Sequence, residues 1–162
     1  MRSARPMRRL RFPAVPYARD LAPLALRLAV GTVMVAHGYP KFQRGATSFG
    51  ASLKARGFPF PELLGYAVIV IEVIGGLLLL VGLLTRVWSA LIALQMLLTT
   101  LFVKRDVGLI APEGGGTGFE LDILILAGAV AVTLLGPGTV SADRALRIDG
   151  DVEKAALRAG NA

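Results

Sequence analysis

Apolar residues fall into four long runs separated by short polar segments. The second run, Leu63 to Leu84, has 22 residues. At the rise of an α-helix it reaches about 33 Å, enough to cross the roughly 30 Å apolar layer of a bilayer. The pattern therefore predicts an all-α fold, a transmembrane four-helix bundle, with spans at about residues 21–37, 63–84, 87–103 and 119–135.

The first connector carries a weaker helical signal of its own. Residues 37–42 contain Pro40, which is expected to end the first helix. Residues 47–56 are amphipathic and predict a short interfacial helix in this external connector, with Phe49 and Leu53 facing inward.

Two opposite charges interrupt the apolar runs. Arg27 shares a helix face with Gly31, Met34 and Gly38, and Glu72 lies near the middle of the second run. A charge at that depth is costly unless it faces the protein interior or is paired. We therefore expect Arg27 and Glu72 to form a buried pair inside the bundle.

Gln95, on the third run, is expected to join Arg27 and Glu72. Two interpretations of this group remain open. The pair either fixes the register of the helices and nothing more, or it binds a quinone headgroup or takes part in a proton step.

The basic residues lie mostly at the ends of the apolar runs. The formal net charge is +7, yet clustering beside membrane spans is typical of topology determinants and argues against nucleic acid as a partner. The positive-inside rule places both termini in the cytoplasm. The chain then divides into a basic arm (residues 1–20), a membrane domain (21–138) and a cytoplasmic tail (139–162).

A second polar group is expected near the outer ends of the spans. It comprises His37, Lys41, Glu120 and Asp122. These residues suit a surface network with helix capping, proton exchange between His37 and a carboxylate, or a thin metal site. One histidine with two carboxylates is a poor ligand set, so we predict no metal.

Cysteine is absent and histidine occurs once. The chain therefore has no disulfide, no thiolate metal ligand and no dithiol redox centre. A single histidine excludes bis-histidine haem ligation within the chain, which disfavours haem. No cofactor is expected to be covalently bound, and quinone is the cofactor that the buried polar group would suit.

Several short motifs occur in an order that resembles the DoxX family of small bacterial membrane proteins. They are Arg27, His37-Gly38 with Lys41, Glu72 with Gly75-Gly76, the run Gly82 to Arg86, Glu120, and Gly136-Pro137-Gly138 with Ser141 and Asp143. The resemblance implies a four-helix protein of the bacterial inner membrane. Relatives include a subunit of an archaeal thiosulfate:quinone oxidoreductase and a partner in a mycobacterial redox-protective complex.

The resemblance favours an accessory or scaffold subunit of a membrane redox or electron-transfer assembly, possessing a quinone-facing pocket but no redox centre of its own. The partners would be the lipid bilayer and other subunits, or further copies of the chain. Two alternatives stay open. One is a small transporter or channel-like protein that uses the buried charges as its pathway, and the other is an enzyme that acts alone on a quinone or lipid.

Overall fold

The computed structural model describes residues 18–113 and 115–148, and within these two ranges the chain is helical with no β-strand. The expected basic arm, apart from the backbone of residues 18–20, and the tail beyond residue 148 lie outside the described residues. Helices in the described ranges are α1 (Ala18–Arg44), α2 (Ala46–Ala55), α3 (Pro61–Val81), α4 (Thr85–Val103), α5 (Glu120–Leu135) and α6 (Ala142–Ala145).

Three of these helices are long and apolar enough to cross a membrane. They cover Leu21–Arg44, Pro61–Val81 and Thr85–Val103. The helix α5 is apolar as well but has only 16 residues. One side of α3 exposes a continuous row of apolar side chains, as expected of a surface that contacts lipid. The row consists of Leu63, Tyr66, Val70, Ile74, Leu77 and Val81.

The helices α1 and α3 are antiparallel and pack closely through glycine. A Cβ atom on Gly31 would lie 2.9 Å from the carbonyl oxygen of Gly76, and one on Gly38 would lie 2.6 Å from Cβ of Glu72. Arg27 contacts the last turn of α3. Both predicted helix faces, the Arg27 face of α1 and the Glu72 face of α3, are buried.

The helices α4 and α5 are antiparallel too. At one end Arg86 donates a hydrogen bond to the carbonyl of Thr133 at 2.6 Å, and at the other Lys104 lies 2.9 Å from Asp122. We call the end where α1 begins the Arg27 end, and the half of the helices that contains Glu72, Lys41 and Asp122 the Glu72 end.

An apolar core separates the two ends. It is built from side chains of α1, α3, α4 and α5, most of them less than a tenth exposed. Its buried members are Val30, Met34, Leu79, Ile92, Ala93, Met96, Ile125, Ala129 and Val132.

The turn between α3 and α4 has a sequence-encoded geometry. Gly82 adopts a left-handed conformation with φ of 77°, which glycine tolerates without steric cost. The amide groups of Gly82 and Leu83 return to the carbonyls of Leu79 and Leu78, so the helix ends in a Schellman motif. This turn brings the start of α4 beside the end of α3.

The predicted end of the first helix at residues 37–42 is wrong. The helix α1 continues through Pro40 to Arg44. Proline removes one backbone hydrogen bond, but the contact of Gly38 with α3 and the bond from Lys41 to Glu72 hold the last turns in place. Tertiary packing here outweighs the local helix-breaking tendency.

Candidate functional site

A buried carboxylate lies at the centre of the Glu72 end. Glu72 is 3% exposed, and Nζ of Lys41 donates to both of its oxygens at 2.6 Å. Nε2 of Gln95 donates to Oε1 at 2.7 Å. The charge is therefore neutralised by a side chain from α1 and oriented by one from α4. Lys41 also lies over the ring of Phe49 on α2, 5.2 Å from its centroid.

The local backbone around Glu72 departs from an α-helix. Residues Val70–Gly75 form a π-helical stretch within α3, and Thr99–Val103 form a second one at the end of α4. Such stretches insert an extra residue into the helix and are frequent at functional sites. The first contains Glu72 and the second ends directly before Lys104.

A second ion pair lies nearby, and the sequence interpretation did not identify it. Nζ of Lys104 lies 2.9 Å from Oδ1 of Asp122 and 3.0 Å from the carbonyl of Gly118. Asp122 is 4% exposed. Its other oxygen, Oδ2, accepts no hydrogen bond from any described residue, and the same is true of Oε1 of Gln95.

Both ion pairs border one cavity of about 430 Å³. Its walls come from α1 to α5 and are mainly apolar, with contributions from Met34, Phe49, Ile71 and Leu121. The polar residues that line it are His37, Lys41, Glu72, Gln95, Thr99, Lys104, Thr117 and Asp122. A mainly apolar pocket with a few convergent polar groups is the usual form of a small-molecule site.

The predicted pair of Arg27 with Glu72 is wrong. Arg27 contacts the carbonyls of Leu79 and Leu80, both at 3.0 Å. These residues follow Glu72 by seven and eight positions, which is about 10 to 12 Å along a helix. Glu72 instead forms an ion pair with Lys41. The expected contact of Gln95 with Glu72 is present as a hydrogen bond.

The guanidinium of Arg27 is 1% exposed and uses all three of its nitrogens. Besides the α3 carbonyls, it donates to the carbonyls of Pro137 at 2.5 Å and Val140 at 2.8 Å, in the segment after α5. These acceptors are the free carbonyls of helix ends and loops, which need a donor when buried. Arg27 thus ties three segments together.

The predicted second group of polar residues is divided by the structure. Lys41 forms an ion pair with Glu72, and Asp122 forms one with Lys104. His37 is exposed at the cavity wall. Glu120 starts α5, and its Oε2 is buried without a hydrogen bond from a described residue. Among the described residues, no three His, Cys, Asp or Glu side chains are grouped to hold a metal ion.

The helical spacing of the sequence does indicate that Lys41 lies on the buried face of α1. The face that carries Arg27, Gly31, Met34 and Gly38 continues to position 41 at the same helical spacing. Pro40, however, predicts the end of the helix and so favours a loop at position 41. The pair of Lys104 with Asp122 had no comparable periodic signal, since it joins two helices across a long connector.

The sequence is similar to a family of known proteins. The DoxX family profile matches residues 22–105. The chain is 32% identical over 126 residues to "Putative oxidoreductase CatD" of Bacillus subtilis, covering 76% of the chain and 86% of that protein. It is 28% identical over 142 residues to "Inner membrane protein YphA" of Escherichia coli, covering 85% and 99%.

No solved structure matches the chain. The profile match covers just over half of the 162 residues. It contains Arg27, Lys41, Glu72, Gln95 and Lys104, so most of the side chains that neutralise buried charge lie inside it. The chain belongs to the DoxX family.

Proposed function

We propose that this protein is a multi-pass subunit of a bacterial inner-membrane redox or electron-transfer assembly, and that it binds a quinone headgroup in the cavity beside Glu72. In this proposal α1, α3, α4 and α5 form the four-helix transmembrane bundle. Both termini lie in the cytoplasm, and α2 lies at the non-cytoplasmic interface of the inner membrane. The chain contributes a binding site and a scaffold, and electrons would be carried by a partner subunit or by the quinone.

The cavity is the observation that carries the proposal. Its volume of about 430 Å³ is within the range of small-ligand pockets, and its walls are mainly apolar. Lys41 and Lys104 supply N–H donors at its border, and Gln95 supplies an amide. A flat conjugated ring with two carbonyl oxygens and an apolar tail matches this combination.

The antiparallel packing supports the topology. Arg27 and Asp143 lie at the same end of the helices, and Lys41 and Lys104 lie at the other. The basic arm precedes the Arg27 end, and the positive-inside rule assigns the more basic side to the cytoplasm. The cavity then opens toward the outer half of the membrane.

A redox role is supported by the family and by the name of one relative, which describes an oxidoreductase. The chain has no cysteine, so its own side chains supply no thiol chemistry. Its own residues would bind and orient the quinone and exclude water from it, while the quinone supplies the electron chemistry when bound.

A transport function receives less support. A polar pathway would have to connect the Glu72 end with the Arg27 end, but the apolar core lies between them. The N–H groups of Arg27 are engaged with backbone carbonyls. The buried charges therefore form two separate groups and do not line a continuous path.

Purification of the tagged full chain in mild detergent tests the proposal. We expect quinone to be extracted from the purified protein by organic solvent, and cofactor-bearing subunits to accompany it. The variant Glu72→Gln should retain less quinone than the parent, while Ser52→Ala, an exposed change on α2, should retain as much. Equal quinone content in Glu72→Gln and parent would refute a headgroup site beside Glu72.

A further inference from the structure

Two buried acceptors in the wall of the cavity have no donor. Oε1 of Gln95 and Oδ2 of Asp122 are out of reach of solvent and accept no hydrogen bond from any described residue. Both side chains are more than nine-tenths buried, and both line the cavity. A buried acceptor without a donor is costly, so native proteins seldom retain one without a reason.

The partners of these side chains determine which atoms are left over. Gln95 donates through Nε2 to the Glu72 carboxylate, which only accepts, so the amide orientation is set and its oxygen is the atom without a partner. Asp122 already accepts from Lys104 through Oδ1, which leaves Oδ2. Asp122 therefore offers a hydrogen-bond acceptor and no donor, and Gln95 offers an acceptor beside the second N–H of its amide.

We propose that the cavity selects the reduced, dihydroxy form of its ligand, a quinol, over the oxidised quinone. This inference deepens the proposed function and rests on it. A quinol carries two O–H donors, one for each of the two acceptors. A quinone has carbonyl oxygens only, which can accept from Lys41 or Lys104 but leave both acceptors unpaired.

Tighter binding of the quinol has a redox consequence. A ligand that is held more tightly in its reduced form is easier to reduce. For a two-electron couple, each tenfold preference raises the midpoint potential by about 30 mV. The site would then withdraw quinol from the membrane and retain it for a partner.

Binding of two probes to the purified full chain tests the inference. The probes are a decyl-tailed benzoquinone and its quinol, titrated calorimetrically in detergent under argon. Because unpaired buried acceptors penalise the quinone, we expect the quinol to bind at least about tenfold more tightly. Ser52→Ala, an exposed change outside the set of lining residues, serves as the matched control and should keep this preference.

Two variants assign the preference to the acceptors. Asp122→Asn retains an oxygen for Lys104 and replaces Oδ2 with an N–H₂ donor, so it should weaken quinol binding and strengthen quinone binding. Gln95→Met removes the second acceptor without adding charge and should weaken quinol binding. Loss of the preference in either variant, with a melting temperature near that of the parent, supports the assignment.

The outcomes separate this inference from the proposed function. Equal affinity of the parent for both probes overturns quinol selection and leaves the quinone site standing. Binding of neither probe overturns both. A quinol preference that survives in Asp122→Asn and in Gln95→Met shows that other groups create it, which overturns the role given to the two acceptors. If Asp122→Asn fails to fold, the parent and Gln95→Met still decide the question.

Discussion

The Arg27 end and the Glu72 end both bury charge, but they neutralise it with different groups. Arg27 is surrounded by backbone carbonyls of Leu79, Leu80, Pro137 and Val140. Glu72 is surrounded by side chains, from lysine and glutamine. Backbone partners are set by the fold and cannot exchange, whereas side-chain partners can reorient toward a ligand.

The two ends differ in their packing as well. Beside Arg27, the carboxylate of Asp143 accepts from the backbone amides of Leu84 and Thr85 at 2.7 and 2.8 Å, and the amide of Asp143 donates to Gly82. This group fastens the chain after α5 to the turn between α3 and α4. The Glu72 end instead encloses a cavity, and the unpaired acceptors of Gln95 and Asp122 belong to residues that line it. We infer that the first end serves stability and the second serves binding.

Arg27→Met should give the largest loss of stability. It removes the buried donor to four carbonyls, and breaking such a group costs at least about 3 kcal/mol. Thermal unfolding in detergent, followed by size-exclusion chromatography of the surviving protein, measures the effect. Arg44→Met changes an exposed arginine of the same helix whose hydrogen bond among the described residues is to the carbonyl of Pro40, so it should change stability by less than about 0.5 kcal/mol. Similar losses of stability in both variants would contradict the stabilising role assigned to the hydrogen bonds of Arg27.

Replacing either glycine of α1 with alanine tests the difference between the Arg27 end and the Glu72 end. Gly31→Ala places Cβ 2.9 Å from the Gly76 carbonyl oxygen, and Gly38→Ala places it 2.6 Å from Cβ of Glu72. Overpacking of this kind costs about 1 to 3 kcal/mol, so both variants should unfold at lower temperature. Only Gly38→Ala displaces Glu72, so only it should weaken quinol binding by the folded protein. Equal affinities in the two variants would show that the position of Glu72 does not govern the site.

Asp143→Asn should have a smaller effect. Asparagine retains one oxygen for the start of α4 but turns its NH₂ toward the other backbone N–H, and a buried donor that loses its acceptor costs about 1 kcal/mol or more. Ligand affinity should stay unchanged, because Asp143 lies at the Arg27 end. Asp106→Asn, in the exposed turn after α4, is the matched control and should be neutral in the same unfolding measurement. A loss of affinity in Asp143→Asn would mean that the two ends are coupled.

The sequence predicted the helices better than their contacts. Apolar runs and helical spacing located the long helices, the buried faces of α1 and α3, and the helix at Ala46–Ala55. They did not locate the end of α1, because Pro40 is a local signal and the contacts of Lys41 that override it are tertiary.

The site was harder to predict because partners depend on helix register. Glu72 and Gln95 were expected to meet and do so. The cation was misassigned, since an arginine in an apolar run looked like the natural partner while a lysine near a proline looked like a loop residue. The π-helical stretch around Glu72 has no sequence rule that predicts it, and its residues pack against Gly38 of α1.

Replacing the ion pair of the Glu72 end by apolar residues should have the smallest effect on stability. Lys41→Met together with Glu72→Met removes both charges at once, and such replacements of buried pairs are often neutral or stabilising. We expect a change within about 1 kcal/mol by the unfolding assay, with quinol affinity reduced at least about tenfold, since Gln95 loses the carboxylate that orients its amide.

The same strategy is not open to Arg27, because its acceptors are backbone carbonyls that no substitution removes. The double variant therefore tests the comparison directly. A loss of stability as large as that of Arg27→Met would mean that the ion pair of Lys41 with Glu72 stabilises the helix packing as much as the hydrogen bonds of Arg27 do. Retained stability with lost affinity would mean that the pair is kept for the ligand, since the fold does not need it.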